Sequence, residues 1–239
     1  MHLKRWLINN LQSELASWSR VSFDETQSLI QKTFLWLALI TAIVFASWYY
    51  ILGLLNSWII SSGQYTISFW ISAILGLILV IAITWWYQKM NYATLAIIAI
   101  LFAVLEWIWI AWILAIYDSS SIINAFAWAS LLFVLMSLYW YFTKTDLTKF
   151  WTILIVGLIS IIILTLINIF FIHSSWFDLA LSIIGLLIFL GLTAWDLQIL
   201  KQMAQTWDKR LEIVFWISLY LDFINIFLEL LSLFWNSKR

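Results

Sequence analysis

Four acidic side chains lie inside long apolar stretches of this sequence, where water cannot solvate them: Glu106, Asp196, Asp222 and Glu229. An ionised carboxylate in hydrocarbon costs at least about 2.5 to 3.5 kcal/mol. Every Lys and Arg lies in a loop, in a tail or at the end of an apolar stretch, so none is placed to neutralise these acids at depth. We therefore expect each acid to face the interior of a helix bundle, where it is protonated, hydrated or bound to a cation.

Two of these acids, Asp196 and Asp222, are expected to meet. A polar connection at residues 201–210 separates the apolar stretches that hold them, and each Asp lies thirteen residues from Lys209. Residues equidistant from the turn of an antiparallel helical hairpin lie at the same depth. At about 1.5 Å per residue, Asp222 lies about 15 Å deep, and Asp196 matches that depth if its helix continues about one turn past Leu200.

Paired carboxyl groups in a bundle can act as a proton-dependent gate. They cannot both ionise cheaply, because desolvation and mutual repulsion oppose the second charge. A proton shared by Asp196 and Asp222 would therefore link their state to pH. When both are ionised, the pair offers hard oxygen ligands of the kind that Ca²⁺ prefers. We predict a pH-sensing pair that also binds calcium transiently.

Further polar side chains suggest a path for the ion. Asp222, Asn225 and Glu229 are spaced i, i+3 and i+7, which places them on one face of a helix. We predict that Glu106, Asn225 and Glu229 line the path, with Glu106 contributed by an earlier helix.

The elements that must position these residues are membrane-spanning helices. The chain is 65% hydrophobic and 10% charged, and a span needs about 20 mainly apolar residues. Seven windows meet this requirement: 33–55, 65–87, 92–117, 122–142, 150–172, 176–200 and 212–235. We predict an all-α integral membrane protein with one seven-helix domain, residues 33–239, preceded by an amphipathic interfacial segment, residues 1–32.

Basic residues in the loops predict the orientation, because Lys and Arg resist translocation. One side of the predicted bundle collects Lys4, Arg5, Arg20, Lys32, Lys89, Lys144, Lys149, Lys201, Lys209 and Arg210, whereas the other receives Lys238 and Arg239. This bias predicts a cytoplasmic N-terminus in a multi-pass protein of the cell membrane, with a bacterial inner membrane as the expected location. Charge alone leaves two topologies open for the last segment, a full span or a re-entrant one.

Several functional classes are disfavoured by composition. The formal net charge is zero, so nucleic acid is not an expected partner. The chain has no Cys and two His, which excludes the usual transition-metal sites, and no phosphate-binding loop, nucleophile elbow or HExxH motif occurs. We expect a monomer without enzymatic activity or cofactor, whose partners are the lipid bilayer, calcium ions or protons, and an unidentified membrane protein in one alternative below.

The segments IGLLIFLGLTAWDLQILK, residues 184–201, and ISLYLDFINIFLELL, residues 217–231, resemble the C-terminal signature of the transmembrane Bax inhibitor motif family, the Bax inhibitor-1-like proteins. Residues 142–171 are similar to that family's Thr-Lys-x-Asp connection and fifth span. The resemblance implies a seven-helix bundle with the last helix in the middle. For the bacterial members it implies a pH-sensitive calcium leak, with Asp196 and Asp222 as the sensing pair.

One feature departs from that family. Characterised bacterial relatives carry a basic cluster at the end of span two, where an Arg latches the sixth-span Asp. Here the region reads ITWWYQKMNYA, in which Lys89 is the only basic residue and Trp85 and Trp86 stand near the expected Arg position. Lys89 is the candidate latch if its side chain snorkels inward. Otherwise the gate depends on the proton of the pair alone.

These observations predict a pH-sensitive passive calcium or cation leak channel, gated by protonation of the Asp pair. Two other interpretations stay open. A non-transporting regulator of a membrane protease or of a cell-death or stress pathway would tolerate Asn at the pair. A proton-coupled transporter would show saturable solute flux driven by a proton gradient.

Overall fold

The computed structural model describes residues 28, 31–38, 41, 62–143, 145–203 and 208–236, and every regular element in these ranges is helical. Most of the predicted interfacial segment 1–32 and of the first predicted span lies outside the described residues. The same holds for six of the basic residues used to predict orientation, namely Lys4, Arg5, Arg20, Lys144, Lys238 and Arg239.

We number the helices in chain order and call the helical residues 31–38 α1. The others are α2 (Ser62–Trp86), a 3₁₀ turn (Tyr87–Lys89), α3 (Tyr92–Ile116), α4 (Ser119–Phe142), a 3₁₀ turn (Leu147–Phe150), α5 (Trp151–Ile167) with a π-helical turn (Asn168–Ile172), α6 (Ser175–Met203) and α7 (Arg210–Asn236). Side chains cap the starts of α3 and α4, where Asn91 accepts from the Thr94 amide at 2.8 Å and Asp118 accepts from the Ser121 amide at 2.9 Å.

Six helices of the described part, α2 to α7, are long and apolar enough to cross a membrane. They coincide with the last six predicted windows, so the prediction of an all-helical, multi-pass membrane bundle is confirmed. Helix α6 continues past Leu200 to Met203, as the depth match of the two Asp residues requires. Helix α7 is an unbroken helix of 27 residues, about 40 Å long at 1.5 Å per residue, which has the form of a full span and not of a re-entrant hairpin.

The C-terminal helix α7 lies at the centre of the bundle. In its most apolar window 72% of the residues are buried, against at most 39% in any other candidate span. Aromatic side chains fill its contacts. Phe223 packs edge-on against Phe126 and Phe133 of α4 at 5.7 and 5.8 Å, and Tyr220 packs edge-on against Phe102 of α3 at 6.2 Å. The predicted central position of the last helix is therefore confirmed.

The connections after α2, α4 and α6 gather at one end of the bundle. The guanidinium of Arg210, at the start of α7, donates to three carbonyls of the α2–α3 connection, those of Tyr87, Gln88 and Met90. Gln198 on α6 accepts from the Leu147 amide at 2.8 Å and donates to the Thr145 carbonyl at 3.0 Å, which ties in the α4–α5 connection. We call this the basic end, because its residues include Lys89, Lys149, Lys201, Lys209 and Arg210.

Asn168 organises the opposite end, which we call the far end. Its side chain is buried and donates to the Ser174 carbonyl at 3.1 Å and to the Asp178 carboxylate, while its oxygen accepts from the Ser174 amide at 3.0 Å. His173, between the two helices, has a left-handed backbone with φ of 56°, and its amide donates to the Asn168 carbonyl at 2.8 Å. One amide side chain thus joins the end of α5 to the first turn of α6.

Replacing Asn168 by Ala should therefore destabilise the fold. The variant loses three hydrogen bonds and leaves the Asp178 carboxylate short of a donor, so we expect the apparent free energy of unfolding in detergent micelles to fall by about 1 to 3 kcal/mol. Ser160→Ala on α5 is the control, because that exposed hydroxyl donates within its own helix, to the Val156 carbonyl. Equal stability losses in the two variants would contradict this role of Asn168.

Candidate functional site

The structure brings Asp196 and Asp222 together at the contact of α6 and α7. Their residues are 7% and 6% exposed, and the two carboxyl groups lie within reach of a mutual hydrogen bond. The two side chains therefore meet as predicted, because α6 and α7 are antiparallel neighbours and both helices are regular where they carry the pair.

The pair has few other hydrogen-bond donors. The hydroxyl of Ser218 donates to Asp196 Oδ2. Thr193 lies within hydrogen-bonding reach of Asp222, but its hydroxyl donates to the Phe189 carbonyl at 2.8 Å, and a hydroxyl carries one proton. Asp222 Oδ2 is buried and has no hydrogen-bond partner within the described part of the chain. This geometry suits a pair that holds one proton, since the protonated carboxyl supplies the donor that the surroundings do not.

Basic side chains do not neutralise the pair in the described ranges. Lys89 is exposed at the end of its 3₁₀ turn and forms no ion pair with any described acid, so the predicted latch contact is not formed here. The cation that engages the α2–α3 connection is Arg210 instead. Its guanidinium forms an ion pair with Asp208, with 2.8 Å between Nη2 and Oδ2, and donates to carbonyls of that connection.

A row of polar and small residues continues from the pair along the α6–α7 contact. On α7 the polar positions alternate spacings of four and three, which keeps them on one face of the helix. We call this row the polar seam and define it by Ser182, Gly185, Thr193 and Asp196 on α6 and by Ser218, Asp222, Asn225, Glu229 and Ser232 on α7.

The far part of the polar seam contains one carboxyl group. Ser182 donates to the Ser232 hydroxyl at 2.9 Å and lies within hydrogen-bonding reach of Glu229. A Cβ added at Gly185 would overlap the Glu229 carboxyl group, so the absence of a side chain at this position is what leaves room for the acid. The predicted path residue Glu229 therefore lies on the same seam as Asp222, toward the far end.

Asn225 lies between these two acids on α7, and its side chain bonds within its own helix. Its amide nitrogen donates to the Leu221 carbonyl of its own helix at 2.8 Å. The side chain is half-buried. The sequence correctly placed Asn225 on the face of Asp222 and Glu229, and its role in an ion path stays a prediction.

Glu106 does not belong to the polar seam, and its role in an ion path stays a prediction. It is buried on α3, within hydrogen-bonding reach of Trp109, and its neighbours include Gly76 of α2 and Tyr220 of α7. Tyr220 precedes Asp222 by two residues, which is about 200° around a helix, so Glu106 faces the other side of α7. Glu106 Oε2 and Tyr220 Oη both lack a hydrogen-bond partner within the described ranges.

The candidate calcium site offers few protein ligands. No group of three or more His, Cys, Asp or Glu residues in the described part of the chain could hold a metal ion. Ca²⁺ takes six to eight oxygen ligands, whereas the pair supplies two carboxyl groups. Among the described residues, the arrangement therefore suits a proton or a cation in passage that keeps much of its water.

Sequence reasoning missed several residues that shape this site: Arg210, Ser182, Gly185, Thr193, Ser218 and Ser232. The spacing of Ser218 and Ser232 continues the pattern of Asp222, Asn225 and Glu229, so the helical period alone could have identified them. Arg210 had no such signal. It follows a polar connection, and its contacts with the α2–α3 carbonyls depend on the tertiary fold.

The pairing at the start of α7 can be tested through Asp208. The Arg210 guanidinium lowers the pKa of Asp208 by hydrogen bonding, so the pair stabilises the fold at neutral pH, and that contribution is lost as pH falls through the lowered pKa. In Arg210→Gln the pKa should rise toward the ordinary value of about 3.9, measured by carboxyl-carbon NMR in micelles. Lys209→Gln is the control, and an unchanged pKa in Arg210→Gln would contradict the pairing.

A double-mutant cycle tests the close contact of Gly185 and Glu229. We expect Gly185→Ala to lower the apparent free energy of unfolding by about 1 to 3 kcal/mol, because the added methyl group displaces the Glu229 carboxyl. In a Glu229→Ala background the same change should cost much less, which would appear as a coupling energy. Equal costs in both backgrounds would show that the two positions do not touch.

Comparison with known proteins agrees with this architecture. A family profile described as "Inhibitor of apoptosis-promoting Bax1" matches residues 26–239. The Escherichia coli inner membrane protein YbhL is 36% identical over 169 residues, which are 68% of this chain and 72% of YbhL. An uncharacterized protein of Borreliella burgdorferi is 40% identical over 159 residues, 64% of this chain and 68% of that protein.

The profile match includes all six described spans and both residues of the Asp pair. The similarity to YbhL extends over more than two thirds of either chain. The chain is a multi-pass membrane protein that belongs to the family of inhibitors of apoptosis-promoting Bax1, the Bax inhibitor-1 family.

Proposed function

We propose that this protein is a passive, pH-sensitive cation leak, with calcium as the conducted ion, gated by the proton that Asp196 and Asp222 share. The observation that carries the proposal is the buried contact of these two carboxyl groups on neighbouring spans, with no Lys or Arg paired to either among the described residues. Such a pair has no evident structural benefit, because burying a charge without a counter-charge opposes folding.

The proposed gate uses the change in charge of the pair. With one proton the carboxyl groups bond to each other, and Ser218 holds Asp196 against α7. Without it, two negative charges repel each other across the α6–α7 contact and attract cations and water. Glu229 provides one further carboxyl group along the same seam, toward the far end. Gain or loss of one proton thereby alters both the helix contact and the attraction for a cation.

The proposed orientation places the basic end in the cytoplasm of a bacterial cell, with the protein in the inner membrane. Lys and Arg are retained on the cytoplasmic side, and the described residues at the basic end include Lys89, Lys149, Lys201, Lys209 and Arg210. The name of the similar protein YbhL, an inner membrane protein, supports this location.

A flux assay tests the gate. The protein is reconstituted in liposomes that contain a calcium dye, and initial rates are compared between pH 6 and pH 8. We expect a wild-type rate that changes with pH and an Asp222→Asn rate that varies by less than about twofold, because the amide cannot ionise. Asp196→Asn should behave in the same way. Glu106→Gln is the matched control, a buried acid on the other side of α7, and should retain the pH response.

Two results would contradict the proposal. Equal flux and pH response in wild type and Asp222→Asn would exclude the pair as the gate. Absence of flux in the wild type, together with a cellular role that survives Asp222→Asn, would favour the non-transporting regulator that the family description suggests. Saturable uptake of a solute driven by a proton gradient would instead identify a proton-coupled transporter.

A further inference from the structure

The register of α6 and α7 identifies the residues in the middle of the polar seam. Ser182 bonds to Ser232, and Asp196 accepts from Ser218, so fourteen residues separate the two contacts on each helix. Fourteen residues are close to four turns of a regular helix. The midpoint is Phe189 on α6 and Asn225 on α7, and these two positions therefore face each other halfway along the seam.

On α6 this midpoint is apolar, whereas the contacts on either side of it are polar on both helices. Phe189 is 8% exposed and belongs to the hydrophobic core. The polar side chains next to it bond to their own helices, since Asn225 donates to the Leu221 carbonyl and Thr193 to the Phe189 carbonyl. Neither side chain directs its donor across the contact. Phe189 thus separates the polar residues of the seam into two clusters.

Each cluster contains ionisable oxygen ligands. The one toward the basic end holds Asp196 and Asp222, and the one toward the far end holds Glu229 with Ser182 and Ser232. Seven residues separate Phe189 from Asp196, which corresponds to about 10 Å along the helix. A cation that moves from one cluster to the other would lose its carboxyl ligands where it meets the ring of Phe189.

We propose that Phe189 is the hydrophobic barrier of the closed leak, and that ions pass only when its ring moves or the space beside it fills with water. The inference rests on the proposed function. Apolar constrictions close channels because a narrow apolar segment expels water and leaves an ion unsolvated. In this scheme the Asp pair senses the proton, while the ring of Phe189 blocks the ion.

Flux measurements separate this role from ordinary packing. The closed state is the one measured at whichever of pH 6 and pH 8 gives the lower wild-type rate. At that pH we expect Phe189→Ala to raise calcium flux by about tenfold or more and to weaken the pH dependence, because the smaller side chain admits water. Phe189→Leu should stay close to wild type, since the side chain remains apolar. Phe133→Ala is the matched control, because Phe133 is 6% exposed on α4 and packs against Phe223, away from the seam.

The possible outcomes distinguish the barrier from the leak itself. If wild type leaks with a pH response and Phe189→Ala shows the same flux, Phe189 is not the barrier, and the proposed leak is not affected. If Phe189→Ala and Phe133→Ala raise flux equally, the effect is packing and the barrier is again wrong. If none of these proteins conducts, the proposed function fails.

Cysteine labelling tests the barrier without changing Phe189, since the chain contains no Cys. In liposomes with a known orientation, a membrane-impermeant thiol reagent added at the far end should modify Ser232→Cys at least about tenfold faster than Ser218→Cys, because Phe189 blocks its path. Comparable rates from the far end would overturn the inference. This measurement remains available if Phe189→Ala does not fold.

Discussion

The contact between α6 and α7 is the interaction on which the rest of this bundle depends. Helix α7 is enclosed by its neighbours, so its polar side chains have little access to water and must find partners within the protein. Those partners lie mainly on α6, where Ser182 and Asp196 bond to α7 hydroxyl groups and Gly185 leaves space for Glu229. Burying polar groups is tolerable only when they are paired, which fixes the register of the two helices.

The start of α7 fixes which side of the helix faces α6. Arg210 is held by Asp208 and by the carbonyls of the α2–α3 connection, and Glu212 accepts from the Tyr92 hydroxyl at 2.5 Å. A rigid helix anchored in this way presents Asp222 to α6 and Tyr220 to α3. Glu106, Asp196, Asp222 and Glu229 are therefore separated into two environments, the polar seam on one side of α7 and Glu106 with Tyr220 on the other.

Much of the fold and part of the site could be predicted from residue types and spacing. The apolar windows predicted the spans because hydrocarbon thickness sets the length of a helix that crosses it, and six of the seven predicted spans correspond to candidate membrane-spanning helices. The meeting of Asp196 and Asp222 followed from their equal distance to Lys209, since depth in a hairpin depends only on residue count and helical rise. The first predicted span lies mostly outside the described residues.

The sequence by itself determined position along the membrane normal: which segments are spans, how deep each acid lies and which residues share a helical face. Only the tertiary structure decided position around each helix and between helices. It separated Glu106 from the polar seam, left Lys89 exposed while Arg210 engages the α2–α3 connection, and set Phe189 opposite Asn225. The physical reason is that hydropathy and charge reflect the free energy of transferring a side chain into the bilayer. Which sides of two helices face each other depends instead on packing and hydrogen bonds among many residues.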